Sequence, residues 1–280
     1  MIAKRSLGST GMVVSVLGLG TVKLGRNEAV KYPQGFTLPD DKQASELLAL
    51  AREQGINLID TAPAYGTSEQ RLGHLLRRQR QDWLICTKVG EEFNRGISSY
   101  DFSPEHVRFS IERSLQRLDT EVLDIVLVHS DGNDVDIIKH FGTLEALAEL
   151  KRQGKLRALG MSTKTVEGGL LAAQQSDVVM LTWNLQYQDE VPVIDYCQQL
   201  GVGVLIKKAL ASGHLTEHAL AEKSARNERK RPPTAPIHPG QNPVLDSLTM
   251  ITAHPGVSSV IVGTLNPKHL QANIDAVKPC

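Results

Sequence analysis

The chain has 280 residues, 41% of them hydrophobic and 22% charged, which is ordinary globular composition and ample for a sizeable core. Lys plus Arg and Asp plus Glu both count 31, so no net charge draws the chain to nucleic acid or to an anionic membrane. No stretch approaches eighteen consecutive apolar residues, the N-terminal MIAKRSLGS lacks the apolar centre of a secretory signal, and Cys86, Cys197 and Cys280 are too scattered for a disulfide framework. A reduced, cytoplasmic setting is expected, with no membrane partner.

In chain order, short apolar runs alternate with longer amphipathic ones. The predicted strands are 14–20, 57–62, 83–89, 123–130, 156–162, 178–184, 203–208 and 259–263. Several are apolar at consecutive positions, as parallel strands covered on both faces are. Over 103–118 a helix is expected: Ser103 caps, Pro104 suits the first position, Glu105 complements the dipole, and Val107, Ile111, Leu115 and Leu118 share a face. A second helix is expected over 136–154, ending at Gly154, and a last one over 266–277.

Strand-then-helix units in this number and length predict a single (β/α)8 TIM barrel over residues 1–280, opened by a short N-terminal hairpin. A doubly wound open sheet is the alternative, but no G-x-G-x-x-G turn follows an early strand. One segment, 223–243, breaks the rhythm. Lys223, Arg226, Arg229, Lys230 and Arg231 precede Pro232, Pro233, Pro236, Pro239 and Pro243. It is expected to be a long mobile loop after the seventh strand, either solvated or acting as a lid.

Barrel catalytic groups stand at the C-terminal ends of strands. There the sequence puts Asp60, Lys88 and His129, with Tyr65 in the loop after Asp60. Leu58 and Asp60, Cys86 and Lys88, and Leu127 and His129 each share a strand face, so an inward face would aim all three polar groups into the barrel mouth. Asp60 can neutralise a buried Lys88. A lysine cation beside a phenol is expected to lower its pKa from roughly 10, making Tyr65 a general acid near neutral pH. His129 can donate a hydrogen bond to a substrate oxygen. The set suits protonation of a carbonyl oxygen, and the hydride must come from a nicotinamide cofactor. Cys86 reads as barrel filling. His214, His218 and His238 lack metal-ligand spacing, and no metal is expected.

With "LGLGTVKLG", "IDTAPAYGTSEQRLG", "TKVG", "LVHS", "ALGMST" and "IVGTLNPKHLQANI" in this order, the chain from about Leu7 to Ala276 resembles the aldo-keto reductases. Asp60, Tyr65, Lys88 and His129 match that family's catalytic tetrad. The resemblance implies a (β/α)8 barrel that binds NAD(P)H across its C-terminal face and reduces an aldehyde or ketone. It implies that Thr21 and Asp60 lie near the nicotinamide ribose and Ser162 at the carboxamide. Gly263, Thr264, Asn266 and Asn273 would lie at the phosphate and adenine end, where a helix N-terminus is a natural anion site.

Three departures from the family pattern concern the nicotinamide. Thr163 stands where Asn is usual, Met180 where Gln is usual, and Lys207 where an aromatic ring stacks on the nicotinamide. Lys207 or Trp183 is the expected cover for the ring. At the adenosine 2′-phosphate the family often has Arg, and here the position holds His269 beside Lys268. NADPH is therefore the expected cofactor, with NADH as the alternative and a weaker preference than arginine would confer. The leading reading is a carbonyl reductase acting on a small molecule, as a monomer or small homo-oligomer. A cofactor-binding redox sensor or regulatory subunit is the second reading; no accessory segment before the first strand points to it. A phosphate-binding isomerase or aldolase using Lys88 as a Schiff base is the third.

Overall fold

The structure is a computed structural model that describes residues 1–215 and 242–278. Strands β1 (Lys4–Ser6) and β2 (Val13–Ser15) pair antiparallel, Lys4 opposite Ser15, as the expected N-terminal hairpin. Barrel strands β3 (Leu17–Gly20), β4 (Leu58–Asp60) and β5 (Leu84–Val89) follow, then a second antiparallel hairpin, β6 (Glu91–Asn94) and β7 (Ile97–Tyr100). The remaining barrel strands are β8 (Leu123–His129), β9 (Leu156–Ser162), β10 (Val178–Thr182), β11 (Gly203–Lys207) and β12 (Ser259–Val262). The eight barrel strands close on themselves, all parallel, with β12 pairing back to β3.

The helices are α1 (Val22–Gly25), α2 (Asp41–Glu53), α3 (Ser68–Leu76), α4 (Pro104–Arg117), α5 (Asp134–His140), α6 (Thr143–Arg152), α7 (Val166–Ala173), α8 (Val191–Leu200), α9 (Pro243–Ala253) and α10 (Pro267–Ala276). None among the described residues is long and apolar enough to cross a membrane.

Period-two alternation sorts the strand residues between two apolar clusters. Leu58, Cys86, Ile125 and Leu127 fill the barrel interior, while Ile59, Ile85, Val126 and Val128 face the helices. Leu7, Met12 and Val14 of the first hairpin belong to the interior cluster. They plug the N-terminal end of the barrel, where Ser9 N donates to Gly201 O at 2.7 Å. The plug closes one end, and the mouth lies at the other.

Three expectations need correction. The run 14–20 is not one strand: Val14 and Ser15 pair with β1, and the barrel strand starts at Leu17, because the chain must turn from the plug into the wall. The helix expected over 136–154 is two helices broken at Phe141–Gly142, where Gly142 takes φ 70°, a left-handed conformation that only glycine adopts cheaply. The end set for the expected loop 223–243 is wrong, because Pro243 opens α9 and Asn242 Oδ1 caps it by accepting from Val244 N and Leu245 N. Its remaining residues, 223–241, lie outside the described residues, as do His218, His238 and Cys280. Helix α4 is as read, with Ser103 Oγ accepting from His106 N and Pro104 in first place.

Candidate active site

Asp60, Lys88 and His129 end β4, β5 and β8, and Tyr65 sits in the short 3-10 turn Pro63–Tyr65 that follows β4. Lys88 Nζ lies 2.5 Å from Asp60 Oδ1, 2.8 Å from Thr61 O and 3.3 Å from Tyr65 Oη. Tyr65 Oη donates to Asp60 Oδ2 at 3.4 Å. The rings of Tyr65 and His129 meet edge to face at 6.2 Å. The structure thus brings all four residues together. Asp60 caps no helix, since its carboxylate is turned to Lys88 and Tyr65.

The Lys88 side chain is 1% exposed. Burial works to lower its pKa, but the charge of Asp60, with Tyr65 and Cys86, outweighs burial and holds Lys88 above an ordinary lysine. It is a fixed ammonium, which makes it a poor Schiff-base nucleophile. For Tyr65 the expected direction is reversed. Its pKa is raised, chiefly by burial and then by Asp60; Lys88 offsets only part of this. The phenol therefore keeps its proton at neutral pH. The Cys86 thiol, one layer below, is also pushed up by burial, as suits a filler of the barrel.

One group at this site was not read from the sequence. The turn after β5 needs Gly90, whose φ is 100°, and it leads into the second hairpin. That hairpin brings Glu91 Oε2 within 2.8 Å of His129 Nδ1, although the ring N–H does not point squarely at the oxygen. Burial lowers the His129 pKa more than Glu91 raises it, so the imidazole is neutral near pH 7. Burial would raise Glu91, but the adjoining His129, a hydrogen bond from Ser98 and the field of Arg26 hold it at about 2. Pairing across 38 residues leaves no local signal in a sequence.

Thr163, Met180 and Lys207, the three departures from the family pattern, form one arrangement. Ser162, Met180 and Leu205 are neighbours across β9, β10 and β11, and Lys207 pairs with Thr182 one step higher. From β11, Lys207 reaches over the apolar Met180 side of β10 to β9. Its Nζ donates to Ser162 Oγ at 2.8 Å and to Thr163 O at 2.6 Å. Thr163 Oγ1 is buried without a hydrogen-bond partner among the described residues. Asp134 closes the loop behind them, its Oδ2 accepting from Lys164 N, Thr165 N and Thr165 Oγ1. Trp183 does not face the mouth: it is buried in the outer cluster, edge-on to His254 at 5.6 Å. Of the two residues expected to cover the ring, Lys207 stands at the barrel mouth and Trp183 in the outer cluster.

Thr21 is fully buried, and its hydroxyl is committed, donating to Asp60 O at 2.8 Å and accepting from Ser68 Oγ at 2.8 Å. It braces β3 against β4 behind Asp60. At the other side of the mouth, Gly263 follows β12 and is exposed. Thr264 Oγ1 accepts from Asn266 N, and Asn266 Oδ1 caps α10 by accepting from Lys268 N. Within α10, His269 is exposed and Asn273 is buried. Tyr32, also unread, reaches over from the segment after α1, and its Oη stands 3.5 Å from where a Cβ on Gly263 would be. Burial, with Asp60 adding to it, pushes its pKa up to about 12.

The family model described as the aldo/keto reductase family matches residues 16–279. L-galactose dehydrogenase of Arabidopsis thaliana is 31% identical over 99% of this chain and 88% of its own. The Bacillus subtilis oxidoreductase YqkF is 27% identical over 98% and 90%. A Pseudomonas aeruginosa crystal structure assigned to the aldo-keto reductases is 48% identical with a TM-score of 0.82, covering 98% of this chain and 93% of that one. The holo form of a Bacillus halodurans aldo-keto reductase is 25% identical with a TM-score of 0.80, covering 100% and 92%.

Proposed function

The chain belongs to the aldo/keto reductase family, and from that premise we propose that it reduces an aldehyde or ketone with NADPH, Tyr65 giving the proton. The observation that carries this reading is the single ammonium of Lys88 shared between Asp60 and Tyr65.

A phenol with a raised pKa is the right form of a proton donor. It stays protonated in the resting enzyme, and an alkoxide forming beside it is the stronger base. As the proton leaves Tyr65 Oη, the ammonium 3.3 Å away stabilises the phenolate left behind. Asp60 keeps Lys88 charged and aimed. His129, edge to face with Tyr65, lines the place of the substrate oxygen and can accept from the alcohol as it forms.

The donor set fits a nicotinamide dinucleotide. Thr163 Oγ1 is a buried hydroxyl with no partner among the described residues, and Ser162 Oγ and Lys207 Nζ stand beside it. These three would meet the carboxamide end. Gly263, Thr264, Asn266, His269 and Asn273 would meet the phosphates and adenine at the start of α10. When bound, the nicotinamide supplies the hydride that none of these side chains can give. NADH is the alternative donor. The test is NADPH oxidation against a panel of aldehydes and ketones, with Tyr65→Phe beside the unaltered protein. Turnover on the panel that Tyr65→Phe retains in full would sink the assignment.

A further inference from the structure

The mouth holds a second lysine whose surroundings are the opposite of those around Lys88. Both hydrogen-bond partners of Lys207 Nζ are neutral oxygens, Ser162 Oγ and Thr163 O, where Lys88 has the carboxylate of Asp60 at 2.5 Å. Lys207 ends β11 on the same strand face as Leu205, which lies in the barrel interior, so its amine stands at the rim of the mouth. Unlike Lys88 it is only partly buried, and water reaches the residue.

We infer that Lys207 captures aldehydes as a Schiff base when no cofactor occupies the mouth. The inference rests on the proposed reading in that the mouth admits carbonyl compounds and that cofactor lies against Ser162 and Thr163. It moves the nucleophilic lysine from Lys88, the residue the sequence offered, to β11.

The electrostatics agree with the geometry. The Lys207 pKa is brought down to about 7, first by burial. Lys208, beside it in the chain, and Lys164, in the loop after β9, push the same way. Glu190, before α8, and Asp134, at the start of α5, push back. On β8, His129 feels Lys207 as a charge that lowers its own pKa. The lowered pKa leaves Lys207 a far larger share of free amine at neutral pH than a solvated lysine of pKa about 10.4 keeps.

The step balances without any further reactant. The amine lone pair attacks the carbonyl carbon and a C–N bond forms, while the carbonyl oxygen takes a proton. The C–O bond of this carbinolamine then breaks, its oxygen leaves as water, and nitrogen gives up its last proton. Aldehyde plus amine yields imine plus water. Water, which reaches the residue, can carry the proton from nitrogen to oxygen. Because Lys207 stands against Ser162 and Thr163, imine and cofactor would exclude each other. Aldehyde would therefore trap the cofactor-free enzyme, and cofactor would protect it.

The test is reductive trapping. The full chain is incubated with propanal and cyanoborohydride near pH 7, and each lysine's propylation is followed by peptide mass spectrometry. The expected result is a Lys207 label that builds at least about tenfold faster than on any solvated lysine. NADP⁺ should slow it several-fold, and each pH unit below about 6 should slow it roughly tenfold. Lys207→Arg should lose that one label and keep the slow background elsewhere. Labelling spread evenly over the lysines, or a Lys207 label indifferent to pH, overturns the inference. NADPH turnover on the carbonyl panel with no Lys207 label leaves the reductase standing and removes this inference. The label without turnover on any carbonyl does the reverse.

Discussion

Glu91 Oε2 stands 2.8 Å from His129 Nδ1, a carboxylate brought to the back of a mouth histidine by the second hairpin. In a neutral ring a carboxylate there favours the proton on Nδ1, which leaves Nε2 with its lone pair. Nε2 can then accept from an alcohol hydroxyl, and it donates to a carbonyl oxygen only when the ring is protonated. Burial lowers the His129 pKa, so reduction is expected to gain from acidification below the ordinary histidine range, until Glu91 or the fold fails. In Glu91→Gln the amide can donate to Nδ1, moving the proton to Nε2. Ring ¹⁵N shifts should report the exchange of tautomer. An unchanged ¹⁵N spectrum would show that Glu91 does not set it.

The same substitution has a stability signature. Glu91 is held at about 2 in the fold, below its unfolded value of 4.5. Its contribution is thus present above about pH 4.5 and is lost as the pH falls through about 2. Glu91→Gln should cost roughly 1–3 kcal/mol near pH 7, the worth of hydrogen bonds to a charged group, and progressively less towards pH 2. Denaturant midpoints across that range measure it.

Tyr65→Phe keeps the ring and removes the proton. kcat should fall by on the order of 10²–10⁴, the usual worth of general acid catalysis. Cofactor Kd, read from quenching of protein fluorescence, should stay within several-fold. A matching loss of cofactor binding would point to a binding rather than an acid role.

Lys88→Met strands the Asp60 carboxylate, whose side chain is 6% exposed. Breaking a buried pair from one side costs roughly 3–5 kcal/mol. The folded pKa of Lys88 is raised, so its contribution is fully present below about pH 10 and fades as the pH climbs through the folded value. Asp60→Asn added to Lys88→Met should cost less than the sum of the single changes, because no charge is left unpaired. Additive losses in urea would contradict the pairing.

His269→Arg tests the cofactor's phosphate end. His269 is exposed on α10, and a guanidinium there could take a 2′-phosphate through two hydrogen bonds. NADPH should bind roughly ten- to hundredfold tighter and NADH about as before, since a hydrogen bond to a charged group is worth about 1.5–3 kcal/mol. Equal gains for both cofactors would mean that the added charge acts at long range rather than at the phosphate.

What the sequence determined by itself was whatever a short stretch of chain encodes. Strand alternation put Leu58, Cys86 and Leu127 inside and carried Asp60, Lys88 and His129 to the mouth, because a period of two fixes a face without any knowledge of the partner. Ser103 and Pro104 opened α4 for equally local reasons. Only the tertiary structure decided what depends on the distance between remote residues and on exclusion of water. Glu91 meets His129 through a hairpin that no periodicity announces. Lys207 bridges to Ser162 because closing the barrel lays β11 two strands from β9, with an apolar Met180 between. Burial, a property of the whole fold, turned the Tyr65 shift upward against a neighbouring ammonium and drew the Lys207 pKa down, whereas the remote Asp60 carboxylate held Lys88 charged against the same burial.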